Sequence, residues 1–118
     1  MDVYQQNILD HYRHPTHRGE IKDADRRGNI DNPSCGDSVR FHLKVDKNLV
    51  VQAKWQGEGC VLSQAAADLL AEYAEGKALP ELTVLDKKIM LELVGLELGP
   101  NRLSCALLPL EALQRSLD

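Results

Sequence analysis

Three cysteines, Cys35, Cys60 and Cys105, are the residues of this chain best suited to chemistry, and each stands in a distinctive setting. Cys35 lies in Asn32-Pro33-Ser34-Cys35-Gly36-Asp37, where a thiol and a carboxylate are two residues apart. A Pro/Gly loop of that kind can aim both side chains at one point. Cys60 follows Gly57-Glu58-Gly59 and immediately precedes a run with helical spacing. Cys105 follows Gly99-Pro100 and stands at the start of the last predicted helix. Backbone N–H groups and the helix dipole at such starts favour a thiolate and depress its pKa. Thiolate is the form that binds zinc or iron and that attacks sulfur. Taken singly, Cys35 reads more readily as a small buried hydrophobe than as a ligand, and Asp37 as a turn or cap residue. No CxxC pair occurs, so a shared site has to be assembled from three separate loops by the tertiary fold.

The rest of the composition narrows the setting. Three is a poor number for a secreted disulfide framework, and in a reducing compartment such cysteines are free, catalytic or metal-bound. The chain has 118 residues, which fits one domain spanning 1–118. With one Phe, three Tyr and one Trp, its core must be filled by Leu, Val and Ala. A domain this small is marginal unless something else adds stability, and a metal would do so. Fourteen basic against 18 acidic side chains give a net charge of -4, which argues against a nucleic-acid binder. No run approaches the ~18 apolar residues of a membrane helix. The opening MDVYQQNILDHYRHP lacks a basic lead and an apolar core, so it is no secretory signal, and the expected location is cytoplasmic.

The elements that must position the cysteines follow from periodicity. Val3, Ile8 and Tyr12 give a weak amphipathic helix over 4–12, ended by His14-Pro15. The polar stretch 16–27 reads as a surface loop leading into an edge strand. Residues 39–46 alternate, with Val39, Phe41, Leu43 and Val45 on one face and Arg40, His42, Lys44 and Asp46 on a wet one. After a turn at Asp46-Lys47-Asn48, 49–56 returns with Val51, Ala53 and Trp55 on one face, completing a hairpin. Leu62, Ala65, Ala66, Leu69, Leu70 and Tyr73 mark a helix closed by Gly76 and Pro80. Thr83 is the expected cap of a second helix, with Asp86 in its first turn. A last helix is expected over 104–117, where Pro109 is tolerable only in the first turn. Strands followed by helices indicate an α+β fold. His11, His14 and His42 read as surface histidines.

Four segments together resemble the IscU/SufU/NifU N-terminal family of iron–sulfur scaffolds. They are Tyr4-Gln5-Gln6-Asn7-Ile8-Leu9-Asp10-His11-Tyr12-Arg13-His14-Pro15, Asn32-Pro33-Ser34-Cys35-Gly36-Asp37, Gly57-Glu58-Gly59-Cys60 and Arg102-Leu103-Ser104-Cys105. The resemblance spans essentially the whole chain in the right order. It implies a three-stranded antiparallel sheet packed against several helices, with Cys35, Asp37, Cys60 and Cys105 meeting at one metal site. It further implies a cysteine desulfurase as sulfur donor, contacted through the N-terminal segment, and apoproteins as recipients.

Departures from the family pattern bear on the subfamily. IscU-type members carry a Leu-Pro-Pro-Val-Lys stretch read by a dedicated Hsp70-type chaperone, and a His before the last Cys. Here Leu98-Gly99-Pro100-Asn101-Arg102 and Ser104 stand there, which argues against both the chaperone and a histidine ligand. Arg102 resembles SufU-type members, which bind zinc and accept sulfur as persulfide, yet the insertion typical of those chains between the second and third cysteines is missing. Two occupants therefore stay open: a [2Fe-2S] cluster or iron held by a scaffold, and Zn²⁺ held by a sulfurtransferase. Three thiolates and a carboxylate suit either. The carboxylate is the weaker ligand for these softer metals, which suits a site that releases its cargo. Cys35 or Cys105 is the expected persulfide acceptor, with Arg102 in support. A purely structural zinc domain is disfavoured, because a closed structural site seldom uses a carboxylate.

Overall fold

The computed structural model describes residues 3–32 and 36–118. The elements run α1 (Val3–Arg13), β1 (Arg26–Asn32), β2 (Asp37–Asp46), β3 (Leu49–Glu58), α2 (Val61–Ala74), α3 (Leu79–Thr83), α4 (Lys87–Val94) and α5 (Pro100–Ser116). The strands form an antiparallel sheet in the order β1-β2-β3, as the α+β expectation required. At the hairpin tip, Lys47 and Asn48 both take positive φ (52° and 67°). That is the two-residue turn whose twist matches paired strands.

One face of the sheet is the core. Val39, Phe41 and Leu43 from β2 and Val50, Ala53 and Trp55 from β3 are fully buried there. Helices α2 and α5 cover them. The expected alternation in β3 fails at its start: Val50 is buried and Val51 is exposed. A bulge between Lys44 and Val45 shifts the register, so that Lys44 faces Gln52 while Val45 faces Val50. Val51 is the extra residue, and it turns outward.

The other face is not uniformly wet. His42, expected at the surface, is buried, with its Nε2 2.9 Å from Gln56 Oε1. The segment from His17 to Asp25 arches over it. Gly19 N–H bonds to Trp55 O of β3, and Asp25 N–H bonds to Leu43 O of β2. Arg27 Nη2 donates to the carbonyls of Ile21 and Lys22, holding the arch against the sheet. Alternation places a side chain on a face, but says nothing of what a distant loop lays over that face.

Helix boundaries depart from expectation in two places. Asp86, not Thr83, caps α4: its Oδ1 accepts the Lys88 N–H at 3.0 Å. Thr83 instead ends the short α3, which opens with Leu79-Pro80. Likewise α5 begins at Pro100, capped by Gly99, rather than near Ser104. Proline at the first helical position is already set at a helical φ and loses no hydrogen bond. Pro109 consequently lies inside the helix, not in its first turn, and is buried. It has no N–H to give the carbonyl of Cys105, four residues earlier.

Helix α5 is drawn tightly onto β1. A Cβ on Gly28 would fall 2.2 Å from Ala112 O and 2.4 Å from Ser116 N, so only glycine lets the two backbones meet. That contact fixes where α5, and hence Cys105, sits relative to the sheet.

Candidate metal centre

Asp37 is the first residue of β2 and is 3% exposed. Its Oδ1 accepts the backbone N–H of Cys60 at 2.9 Å, and its Oδ2 lies 3.9 Å from the Cys60 thiol. Gly59 makes this approach feasible. Its φ is +139°, and a Cβ there would lie 2.0 Å from Asp37 Oδ1. The Gly-Cys pair thus passes directly against the carboxylate, in a backbone conformation that side chains disfavour.

Cys60 stands at the start of α2, as expected, and is its N-cap. Its Sγ accepts the Ser63 N–H at 3.4 Å, while Ser63 Oγ donates to Cys60 O at 3.1 Å. Gln64 Nε2 donates to Gly59 O at 2.7 Å, closing the turn from the other side. One of the unpaired donors at the helix start is therefore aimed at sulfur. Cys60 as a residue is exposed.

Cys105 corrects the sequence expectation. Because α5 starts at Pro100, Cys105 lies in its second turn, away from the free N–H groups that would favour a thiolate. Burial raises its pKa, and the neighbouring Cys60 thiol and Asp37 carboxylate raise it further, from 9.0 to about 12. A thiolate beside another thiol and a carboxylate, with no cation bound, is electrostatically unfavourable.

Donor atoms of Asp37, Cys60 and Cys105 lie within 4.8 Å of one another. Three elements distant in sequence, the start of β2, the start of α2 and the second turn of α5, thus meet. Cys35 lies outside the described residues. Arg102, one turn before Cys105, is exposed and lines a groove of about 510 Å³ that reaches both thiols. Ile8, Val61, Leu62, Leu96 and Leu98 give that groove apolar walls. The donor set suits a soft or borderline cation: two thiols with a harder oxygen, open on one side to a groove.

A second cluster was not read from the sequence. Asp68, in the middle of α2, is fully buried and is hydrogen-bonded by four residues. Oδ1 takes the Trp55 Nε1–H at 2.9 Å and the His17 N–H at 2.8 Å. Oδ2 takes the Thr16 N–H at 3.0 Å and lies 2.6 Å from His11 Nδ1. Burial alone would raise this carboxyl's pKa, but the bonds from Trp55, His11, Thr16 and His17 outweigh it and hold it below 3.8. His11 is therefore not the solvated histidine expected; it fastens the end of α1 to α2. His14 is exposed, as expected. The available signal was Asp68 itself, a charge set between Ala65-Ala66-Ala67 and Leu69-Leu70 on a helix meant for the core.

Fold and site together define a small α+β protein that gathers two thiols and a carboxylate from separate elements into one candidate site for a soft metal. The chain belongs to the family of the NifU-like N terminal domain, whose model matches residues 3–118. It is 31% identical over 115 residues to the iron–sulfur cluster assembly scaffold protein IscU 1 of Archaeoglobus fulgidus, covering 98% of this chain and 74% of that one. It is also 31% identical over 133 residues to the zinc-dependent sulfurtransferase SufU of Bacillus subtilis, covering 98% and 89%. Among solved structures it is similar to a candidate iron–sulfur cluster assembly scaffold protein for the SUF system from Fervidobacterium islandicum AW-1. That likeness has a TM-score of 0.83 and 25% identity, over 100% of this chain and 96% of the other.

Proposed function

We propose that this protein is a scaffold for iron–sulfur cluster assembly, taking sulfur from a cysteine desulfurase and passing a transient [2Fe-2S] cluster to apoproteins. The observation that carries the reading is the convergence of Asp37, Cys60 and Cys105 within 4.8 Å at the end of an open groove. Cys35, two residues before Asp37, is the proposed fourth ligand. The cluster is cargo, so ligands must hold it without trapping it. Asp37 fits that need, since Oδ1 is committed to the Cys60 N–H and leaves Oδ2 as a single, weaker oxygen donor. The apolar groove walls flank the thiols while leaving room for a partner's segment to approach. Arg102 at its rim supplies a positive charge where an anionic sulfur species would enter. Among the described residues no helix is long and apolar enough to cross a membrane, which accords with assembly in the cytoplasm.

A zinc-bound sulfurtransferase is the second reading, favoured by the SufU likeness and by Arg102 in the groove. The same ligands would hold Zn²⁺, with one thiol leaving to accept persulfide. Metal analysis and a visible absorption spectrum of anaerobically purified protein separate the two. Iron with sulfide and a thiolate-to-iron charge-transfer spectrum supports the scaffold, and colourless protein with stoichiometric zinc supports the sulfurtransferase. Absence of added sulfur on every cysteine after incubation with a desulfurase and cysteine would sink both.

A further inference from the structure

Cys60 is gripped on three sides. Its N–H donates to Asp37 Oδ1 at 2.9 Å, and its carbonyl accepts Ser63 Oγ at 3.1 Å and the Gln64 N–H at 3.2 Å. Its Sγ accepts the Ser63 N–H at 3.4 Å. Ser63 therefore holds Cys60 twice, through its hydroxyl and its amide, and is itself fully buried. Cys105 has no comparable hold. In the second turn of α5 the amides belong to the helix ladder, and among the described residues no N–H is directed at its sulfur.

The Ser63 amide is spare. Ser63 is the third residue of α2, where an N–H has no carbonyl one turn back, so giving it to sulfur costs the helix no bond. A sulfur that ligates a metal keeps lone pairs, so the same N–H can still bond to it. The acceptor is then a charged thiolate, which strengthens the bond. Rotating Cys60 about its Cα–Cβ bond would break this contact and carry Sγ from its place beside Asp37 and Cys105.

We propose that Ser63 is a positioning residue of the metal site. Through its N–H it keeps Cys60 Sγ on the ligand cluster with and without metal, making Cys60 the fixed ligand onto which Asp37 and Cys105 close. This rests on the reading that these three residues ligate a metal. Partners that orient a ligand from behind in this way cost roughly 10- to 100-fold in metal affinity when lost.

The test loads the full-length protein with a magnetic isotope of cadmium, a thiolate-seeking stand-in for iron or zinc, and records proton–cadmium correlation spectra. Scalar coupling passes from cadmium to the β protons of a ligating cysteine, and it also crosses an N–H···S–Cd link. Cross-peaks are expected at the Cys60 β protons and at the Ser63 amide proton. A Ser63 that only packs α2 gives none at its amide. Ser63→Pro deletes the N–H in the first turn, where proline is tolerated. It should lower cadmium affinity, read by competition with a chelator, roughly 10- to 100-fold. Ser63→Ala keeps the N–H, so it should keep the amide cross-peak and lose less affinity. The inference is overturned if Cys60 ligates cadmium with no cross-peak at the Ser63 amide, or if Ser63→Pro binds cadmium as wild type does. Should Ser63→Pro fail to fold, the wild-type spectrum decides alone. Cadmium that does not touch Cys60 overturns the inference together with the ligand set. Both cross-peaks in a protein that builds no iron–sulfur cluster defeat only the scaffold reading.

Discussion

Asp37 Oδ1 accepts the backbone N–H of Cys60 at 2.9 Å, so the carboxylate of one loop holds the cysteine of another in place before any metal arrives. The bond spans the sheet's end rather than a local turn, which changes how Asp37 variants should behave. An Asx turn confined to its own loop would have left Cys60 untouched.

Asp37→Asn keeps an oxygen that can accept the Cys60 N–H but is a poorer metal ligand. It should fold nearly as wild type while holding metal less tightly. Asp37→Ala loses both roles and leaves a part-buried N–H without its partner, a cost of about 1–3 kcal/mol. Denaturation midpoints and metal content of the two variants, measured side by side, separate these roles. Equal metal retention in both variants and wild type removes Asp37 from the ligand set.

Gly59→Ala should damage the site without touching a ligand. Its Cβ would fall 2.0 Å from Asp37 Oδ1 at a φ of +139°. Relief requires moving either Asp37 or Cys60, so metal affinity should drop at least as far as in Asp37→Asn. Gly99→Ala is the control. Nothing lies within 4 Å of a Cβ there, and its cost as a helix cap should stay within about 1 kcal/mol.

Metal uptake should release protons and strengthen with pH. The raised pKa of Cys105, about 12, means that it is a thiol across the neutral range and must lose its proton to ligate. Affinity for zinc should therefore rise about tenfold per pH unit for each such proton between pH 6 and 8. Calorimetry in buffers of different ionisation enthalpy reads the proton count directly. A pH-independent affinity would show that Cys105 stays protonated and outside the coordination shell.

The Asp68 hub predicts an acid-sensitive fold. A carboxyl whose folded pKa lies below 3.8 contributes stability in full above that value and loses it as pH falls through the folded one. Asp68→Asn, lacking the charge, should show a flatter stability profile over this acid range and lower stability at neutral pH. Asp68→Ala leaves the buried Trp55 N–H unpartnered and should cost about 3 kcal/mol or more. An unchanged acid profile in Asp68→Asn would show that another carboxylate governs acid unfolding.

Gly28→Ala tests whether β1 positions Cys105 through α5. The added methyl meets backbone, Ala112 O at 2.2 Å and Ser116 N at 2.4 Å, which cannot rotate away. Overpacking of this kind costs about 1–3 kcal/mol. Displacement of α5 should also lower metal affinity, although Gly28 supplies no ligand. Loss of stability with metal affinity intact would mean that α5 holds Cys105 independently of β1.

Sequence alone determined the β2–β3 hairpin, the helix after Cys60, the place of Cys60 at the start of that helix and the order of strands before the later helices. These depend on neighbours in the chain: period-2 alternation from Val39 to Val45, a turn at Asp46-Lys47-Asn48, and glycine before a helical run. The family pattern in the Cys-Gly-Asp and Gly-Cys segments singled out Asp37 and all three cysteines. Tertiary structure decided the rest. Local spacing put Cys105 at a helix start, but Pro100 nucleated α5 earlier, so burial and the facing Cys60 and Asp37 set its proton affinity instead. Alternation put His42 in water, but the arch from His17 to Asp25 covered it. His11 looked solvated until Asp68, far along the chain, closed on it at 2.6 Å. Local patterns report the conformation a segment prefers; which groups meet across the fold, and what charge they carry there, depends on contacts that no window of sequence contains.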